Sequence, residues 1–388
     1  MPQHPPPYLS AQPVATSAPG PVVDPMLDAL ADRLAVQGLS VGRLACLPDQ
    51  GLAHRHVVLH GTGWLARVPK HSQLNLPPVQ HLAQEVACFR RAAPSGHTPA
   101  LHGSLAPGPG LPWGALLVEH VHGTVAGATQ AQTCVLDALA AIHRLPVPPL
   151  ADRAPLAPGL HPVQEWLQVL GAQAASLAHA EVPAATRELV QQRLLTLPER
   201  LGPTCARMPT TLVAADAHPG NFLVRPNGRA VLVDLEKMRY GLAPLDVAHA
   251  TLYTSTTWDV ATSFTLTATE VHQAHAHWLD AMGHLAPWYA PGMVALREAM
   301  WLWSLTWCAK WLAESACAAK PSASGEDWSQ AHHTPALVQH VGERARHYLS
   351  GVCVQRQLDE LSDLSRALSS DLSQGRWRRD LPLSHAQP

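Results

Sequence analysis

Charge is scarce in this sequence. Of 388 residues only 14% are charged, and 27 basic against 29 acidic side chains leave a formal charge of −2. Nucleic-acid backbones are held by clustered positive charge, so a balance of this kind predicts no nucleic-acid partner. The one basic cluster, "RWRR" at Arg376 to Arg379, is too short to change that. Long apolar runs are missing too. A membrane span needs about 18–20 apolar residues, and the best candidate, Ala299 to Ala309, is stopped by Arg297, Glu298 and Lys310. No membrane partner is expected. Cysteines number seven, lie far apart and form no C-x-x-C pair. That suits reduced thiols in a cytoplasm better than a disulfide frame or a zinc site. The opening "MPQHPPPYLSAQPVATSAPGPVV" has neither the basic start nor the apolar stretch of a signal peptide. Residues 1–24 read as a Pro-rich disordered arm, and the expected location is cytoplasmic.

Histidine, by contrast, is abundant at 24. The cluster "HQAHAHW" places His272, His275 and His277 close together, but the spacing matches no common zinc pattern. High His, Ala and Pro read as a habit of the whole chain. Hydrophobic residues make up 47%, enough for a large core and two lobes.

The pattern changes along the chain. Leu27, Leu30 and Leu34 recur at helical spacing before Gly38. "RHVVLHGTGWLARVPK" (Arg55 to Lys70) holds two apolar runs around a Gly-containing turn, a hairpin signature. Val79 to Ala93 reads as a helix, and "WGALLVEHVHG" begins as a buried strand that breaks at Gly123. From Thr129 onward helical spacing dominates. A last stripe of Leu361, Leu364, Leu368 and Leu372 predicts a short amphipathic helix docked on the body. The architecture is therefore α+β, a small β-rich lobe joined to a larger, mainly helical one, divided as 1–24, 25–119, 120–350 and 351–388.

One segment interrupts the helical part: "LVAADAHPGNFLVRPNGRAVLVDLEKMRYG", Leu212 to Gly241. It is apolar and strand-like, yet carries Asp216, Asn221 and Asp234. Asn227-Gly228 is a preferred hairpin centre because both residues tolerate positive φ. A turn there pairs 225 with 230, 223 with 232, and Asn221 with Asp234, whose Cβ atoms would lie about 5 Å apart. Pro226 can shift the turn by a residue. The turn-prone "AHPG" folds Asp216 back to the same point. Taken singly these are a turn cap, a loop residue and a strand end. Together they form a set of hard oxygen donors suited to Mg²⁺, which keeps several waters and is completed by substrate phosphates.

The segment resembles the phosphate-transfer site of the aminoglycoside phosphotransferase and choline kinase family, small-molecule kinases with a protein-kinase-like fold. "AADAHPGN", "VDLE" and "GLAPLDVA" carry the likeness. Weaker flanking matches extend it from about Leu39 to Leu312. The resemblance implies a nucleotide-binding N-lobe, ATP and Mg²⁺ as cofactors, and a small hydroxylated substrate. It makes Asp216 the catalytic carboxylate and Asn221 and Asp234 the Mg²⁺ ligands. Arg67 would neutralise phosphates and pair with Glu85, with Lys70 a second candidate. Backbone N–H groups around Gly51 would cover the phosphates, and Glu119, His120 and Val121 would meet the adenine through the main chain. Two departures stand out: Ala214 and Ala215 replace the motif's His and Gly, and Ala53 offers the phosphate loop no hydroxyl. A non-catalytic scaffold of the same fold is the alternative.

The acceptor is not legible. Trp303, Trp307 and Trp311 share a helix face, with Trp258 and Trp301 candidates nearby. They read either as core packing or as an aromatic wall for a cationic ligand. A polyamine acceptor would need carboxylates in the cleft, and Asp259, Glu270, Asp280, Glu298 and Glu314 are available.

Overall fold

The structure, a computed structural model, describes residues 24–48, 53–259, 262–316 and 335–378. Nearly all of the arm assigned to 1–24, and Gly51, fall outside that range.

The first lobe opens with helix α1 (Pro25–Val36), capped by the Asp24 side chain. Strands β1 (Leu44–Cys46), β2 (His54–Leu59) and β3 (Trp64–Pro69) follow, then helix α2 (Pro78–Ala92) and strands β4 (Leu101–Leu105) and β5 (Ala115–Glu119). They form one antiparallel sheet in the order β1-β2-β3-β5-β4, and β2 and β3 are the expected hairpin. Side chains alternate across a strand, so β5 serves two cores. Ala115 and Leu117 pack with Leu30 and Leu34 of α1, whereas Leu116 and Val118 join Phe89 of α2 in the main core.

Gly123 ends this lobe for a steric reason. A Cβ there would sit 2.7 Å from the Val224 carbonyl oxygen, so only glycine allows the chain to pass. Strand β6 (Thr124–Val125) and helices α3 (Ala128–Ala131), α4 (Cys134–His143), α5 (Pro162–Ala174) and α6 (Ala184–Ala206) come next. Four short strands follow: β7 (Thr211–Val213), β8 (Phe222–Val224), β9 (Ala230–Leu232) and β10 (Arg239–Gly241). The remainder is helical: α7 (Ala243–Thr251), α8 (Tyr253–Thr256), α9 (Ala268–Met282), α10 (Ala286–Tyr289), α11 (Met293–Ala316), α12 (Pro335–Tyr348) and α13 (Gly351–Ser373). The two-lobe α+β architecture expected from the sequence is the one observed.

Helix α11 runs through the middle of the large lobe and is apolar nearly all round, as a fully surrounded helix must be. Leu296, Trp301, Leu302, Leu305 and Ala309 on it are buried. The C-terminal stripe docks as expected, with Leu361, Leu364 and Leu368 buried, but α13 is 23 residues long rather than short. Its extra reach carries Glu360 to Arg297 of α11. That guanidinium is fully buried and donates to Glu360 Oε1 through Nε at 2.8 Å and to Thr251 Oγ1 through Nη1 at 2.8 Å.

Removing one partner of a buried ion pair strands the other. Glu360→Ala should therefore lower unfolding free energy by about 3 kcal/mol, measured by urea denaturation of the full chain. A loss within the range of ordinary surface substitutions would refute this role.

Candidate functional site

Two antiparallel pairs, one nested inside the other, build the site. β7 pairs with β10 so that Val213 faces Arg239, and within that frame β8 pairs with β9 so that Phe222 faces Leu232. The connecting loops, 214–221 and 233–238, are thereby held face to face. The inner register differs by one residue from the sequence expectation: 223 faces 231 and 224 faces 230. The cause is Pro226, which lacks the N–H that the closing pair of a two-residue Asn227-Gly228 turn needs and whose fixed φ suits the first corner of a wider turn. The chain instead makes a three-residue loop in which only Gly228 is left-handed (φ +81°) and donates to the Arg225 carbonyl at 2.9 Å. Asn221 consequently bonds to Val233, whose N–H reaches the Asn221 carbonyl at 2.9 Å, and Asp234 is the next residue rather than the direct partner.

The three oxygen-bearing residues do come together. Asn221 Nδ2 donates to the Asp216 carbonyl at 2.9 Å, which fixes the amide's orientation and leaves its Oδ1 on the other side. Asp234 is close enough for the Asp216 charge to oppose its ionisation. Each carboxylate carries a cation. Lys237 Nζ donates to Asp216 Oδ2 at 2.9 Å, and Arg67 Nη2 donates to Asp234 Oδ1 at 2.7 Å while its Nη1 takes the Val233 carbonyl at 2.6 Å. Burial would raise the Asp216 carboxyl, but Lys237, with His218 and His249, overrides it and holds the group far below the ordinary range. Burial likewise works against Asp234, and Arg67 and His54 outweigh it.

Lys237 was not singled out from the sequence. Its only signal is position: it lies three residues after Asp234, where the β7–β10 register returns it opposite the Asp216 loop.

Arg67 departs from expectation. It forms no bond to Glu85; His54 stands between them, with Nδ1 3.4 Å from Arg67 Nη2 and Nε2 2.8 Å from Glu85 Oε1. The reason is geometric. Arg67 sits on β3 opposite His56, and its long side chain reaches past the sheet to the 233–234 loop, leaving the α2 glutamate to the shorter histidine of β2. The hinge also differs in part. The Glu119 N–H goes to the Ala100 carbonyl at 2.8 Å and the His120 N–H to the Gly63 carbonyl at 2.9 Å, leaving Val121 as the hinge's amide donor. The Glu119 side chain is taken by Arg225 at 2.6 Å.

Asp246 of α7 holds the Asp216 loop from behind. Its carboxylate accepts the N–H groups of Ala214 at 2.6 Å and Ala215 at 2.9 Å, and pairs with His143 Nε2 at 3.0 Å. Trp278 can only donate, so its indole N–H at 3.1 Å makes His143 Nδ1 an acceptor and puts the ring proton on Nε2, facing Asp246. This clamp explains why the loop survives without the motif's His and Gly. The missing glycine still leaves a mark, since Ala215 sits at φ +58°.

The tryptophan stripe divides. Trp301 and Trp311 are core. Trp307 packs edge-on against Trp258 at 5.5 Å, away from the hairpin. Trp303 alone approaches the site, edge-on to His249 at 5.8 Å, and His249 Nδ1 lies 3.9 Å from Asp216 Oδ1. The histidines of α9 do not converge: His272 bonds to Asp371, His275 to the Val271 carbonyl and His277 to Asp137.

A two-lobed fold with a nested-hairpin carboxylate site defines a kinase-like phosphotransferase. The match to the phosphotransferase enzyme family over residues 46–288 makes the assignment definite: the chain belongs to that family. Comparison with curated protein sequences gives no match. Among solved structures, the chain is similar to a putative aminoglycoside phosphotransferase from Ralstonia eutropha JMP134, with a TM-score of 0.57 and 12% identity over 89% of this chain and 98% of the other. A choline/ethanolamine kinase family protein from Mesorhizobium loti gives a TM-score of 0.53 and 15% identity, covering 88% and 99%. The ADP-bound aminoglycoside phosphotransferase APH(2'')-Ib gives 0.50 and 13%, covering 84% and 98%. At these identities the likeness is one of fold.

A left-handed alanine costs about 1 kcal/mol that glycine does not. Ala215→Gly should therefore stabilise the chain by about that amount, read as a shifted denaturation midpoint at unchanged slope. An unchanged or lowered midpoint would show that the loop is not strained there.

Proposed function

We propose that the chain transfers the γ-phosphate of ATP to a hydroxyl group of a small molecule. The observation that carries this reading is the convergence of Asp216, Asn221 and Asp234 at the mouth of the nested hairpins. Asp216 orients the acceptor hydroxyl and takes its proton. A base so strongly acidified is a weak one, which fits a reaction whose loose transition state needs the nucleophile positioned more than deprotonated. Asn221 and Asp234 fit a hard cation. Both offer oxygen, Arg67 engages only Oδ1 of Asp234, and that side chain is 29% exposed, within reach of an incoming ion. Bound there, Mg²⁺ would supply neutralisation of the phosphate charge. Arg67 lies beside the same position and Val121 offers the hinge donor. The similarity to a phosphotransferase solved with ADP supports a nucleotide in this cleft.

On the acceptor side, His218, His249 and Trp303 form an aromatic boundary. Burial lowers His249 to about 4, so it is uncharged at neutral pH. Four of the five acidic residues considered for a polycation are otherwise engaged. Glu270 closes the N-terminal capping box of α9, Asp280 bonds to Arg376 and Trp377, Glu298 is held by Arg193 and Arg200, and Glu314 pairs with Lys310. A neutral or singly charged hydroxyl compound suits this surface better than a polyamine.

One observation favours a non-catalytic scaffold: both carboxylates are already neutralised by protein cations. Calorimetry with ATP and Mg²⁺ separates the readings. Wild type should bind in a Mg²⁺-dependent way and Asp234→Ala should lose that dependence. In a screen of hydroxyl compounds by ADP release, Asp216→Asn should lower turnover by on the order of 10²–10⁴. Equal binding by wild type and Asp234→Ala, or none by either, would remove the kinase reading.

The Lys237 contact makes a separate, pH-dependent prediction. With Lys237 present, Asp216 stays ionised across the usable acid range. In Lys237→Met the raising effect of burial loses its main opponent, so the acid limb of kcat/KM should move to higher pH. An unmoved limb would show that Lys237 does not set the state of Asp216.

A further inference from the structure

Behind the phosphate site lies a second cluster. His54 of β2, His81 and Glu85 of α2, and Glu236 of the 233–238 loop bring one ligand atom each to within 4.8 Å of all the others. All four residues are buried, at 3%, 1%, 1% and 2% exposure. His54 Nε2 lies 2.8 Å from Glu85 Oε1 and 3.6 Å from Glu236 Oε2, and His81 Nε2 lies 3.5 Å from Glu85 Oε2. Buried polar atoms are almost always bonded, yet here five have no hydrogen-bond partner: both ring nitrogens of His81, Glu85 Oε2 and both carboxylate oxygens of Glu236. Arg67 and Lys237 make their bonds to Asp234 and Asp216, and among the described residues the one hydrogen bond to the two buried carboxylates is that of His54 with Glu85.

We propose that this cluster is a closed binding site for a divalent transition-metal ion of the zinc class, held by His54 Nε2, His81 Nε2, Glu85 and Glu236. Two imidazoles and two carboxylates make a tetrahedral set in which ligand atoms lie about 3.3–3.6 Å apart for metal–ligand bonds of about 2.0–2.2 Å. Two of the three close spacings already match, and the His54–Glu85 contact has only to open by a few tenths of an ångström. The ion's two charges cancel the two carboxylates, and the orphaned atoms become ligands. Ligation through Nε2 puts the His54 proton on Nδ1, toward Arg67 Nη2 at 3.4 Å; the guanidinium's bonds to Asp234 and Val233 are shorter and do not depend on that contact. Imidazole in the set, and the burial of all four residues, distinguish the site from the oxygen-only Mg²⁺ position proposed at Asn221 and Asp234. The ion would tie α2 to β2 and to the loop bearing Asp234, in place of a direct Arg67–Glu85 bond.

The test is metal analysis of the full chain, without nucleotide, after chelator treatment and titration with Zn²⁺. One zinc per chain is expected. It should persist in Asp234→Asn, which touches only the phosphate position, and affinity should fall by on the order of 100-fold or more in His81→Gln and His54→Gln. Where a histidine variant fails to fold, Co²⁺ titration of the wild type decides, with the visible spectrum of a tetrahedral nitrogen–oxygen site expected. No stoichiometric zinc and no such cobalt spectrum would overturn the proposal, leaving a proton to balance the charge. Zinc lost with Asp234→Asn but kept with His81→Gln would overturn it equally.

Discussion

Four carboxylates sit within reach of one small hairpin frame, and their charge is the constraint around which this region is arranged. Asp216, Asp234, Glu85 and Glu236 are held where water is scarce, so each ionised group needs a matching positive charge or proton. Two long side chains meet the demand at the mouth of the cleft, Lys237 on Asp216 and Arg67 on Asp234. Deeper in, His54 meets Glu85 at 2.8 Å with less reach. The backbone exists to make this crowding possible: β7 with β10 outside β8 with β9 leaves two loops facing each other, and Asp246 anchors the first of them through two amides. Residues from both lobes meet at that frame, which is why the stretch Leu212 to Gly241 reads so clearly amid otherwise helical sequence.

That legibility has a physical limit. Asp216, Asn221 and Asp234 were readable because short loops and a turn-forming tripeptide dictate where they go, whatever the rest of the chain does. The one-residue error in the hairpin came from ranking Asn-Gly above Pro226. A ring that fixes φ overrides a mere tolerance for positive φ. Partners supplied from far along the chain were not readable. His54 between Arg67 and Glu85, and His143 beneath Asp246, depend on sheet order and helix packing, and neither leaves a local pattern. Among 24 histidines, two with structural roles look like all the others.

The tryptophan stripe shows the same limit from another side. Spacing of four residues places Trp303, Trp307 and Trp311 on one face, but a helix surrounded by others has no single inner face. Only packing decides that Trp311 is core, Trp307 meets Trp258, and Trp303 turns toward His249. The C-terminal leucine stripe was easier because α13 has an exposed side, so its apolar face could mean only docking. Its length was missed because the first turns bury Cys353, Val354 and Gln357 rather than leucines, so the stripe begins late.

Occupation of the phosphate site has an energetic consequence that follows from these pairings. Arg67 on Asp234 and Lys237 on Asp216 offset the carboxylate charge, and because these carboxylates are 29% and 19% exposed, solvent shares in that task. In the proposed reaction a metal–phosphate complex would bring both signs of charge at once: its positive part would meet the carboxylate oxygens that Arg67 and Lys237 leave open, and its negative part would lie beside those two cations. A nucleotide without the metal would face two carboxylates, and the metal without phosphate would lie beside two protein cations. On that reading the charge arrangement would favour joint over separate binding, and the side chains that offset the carboxylates would be the ones to meet the phosphate.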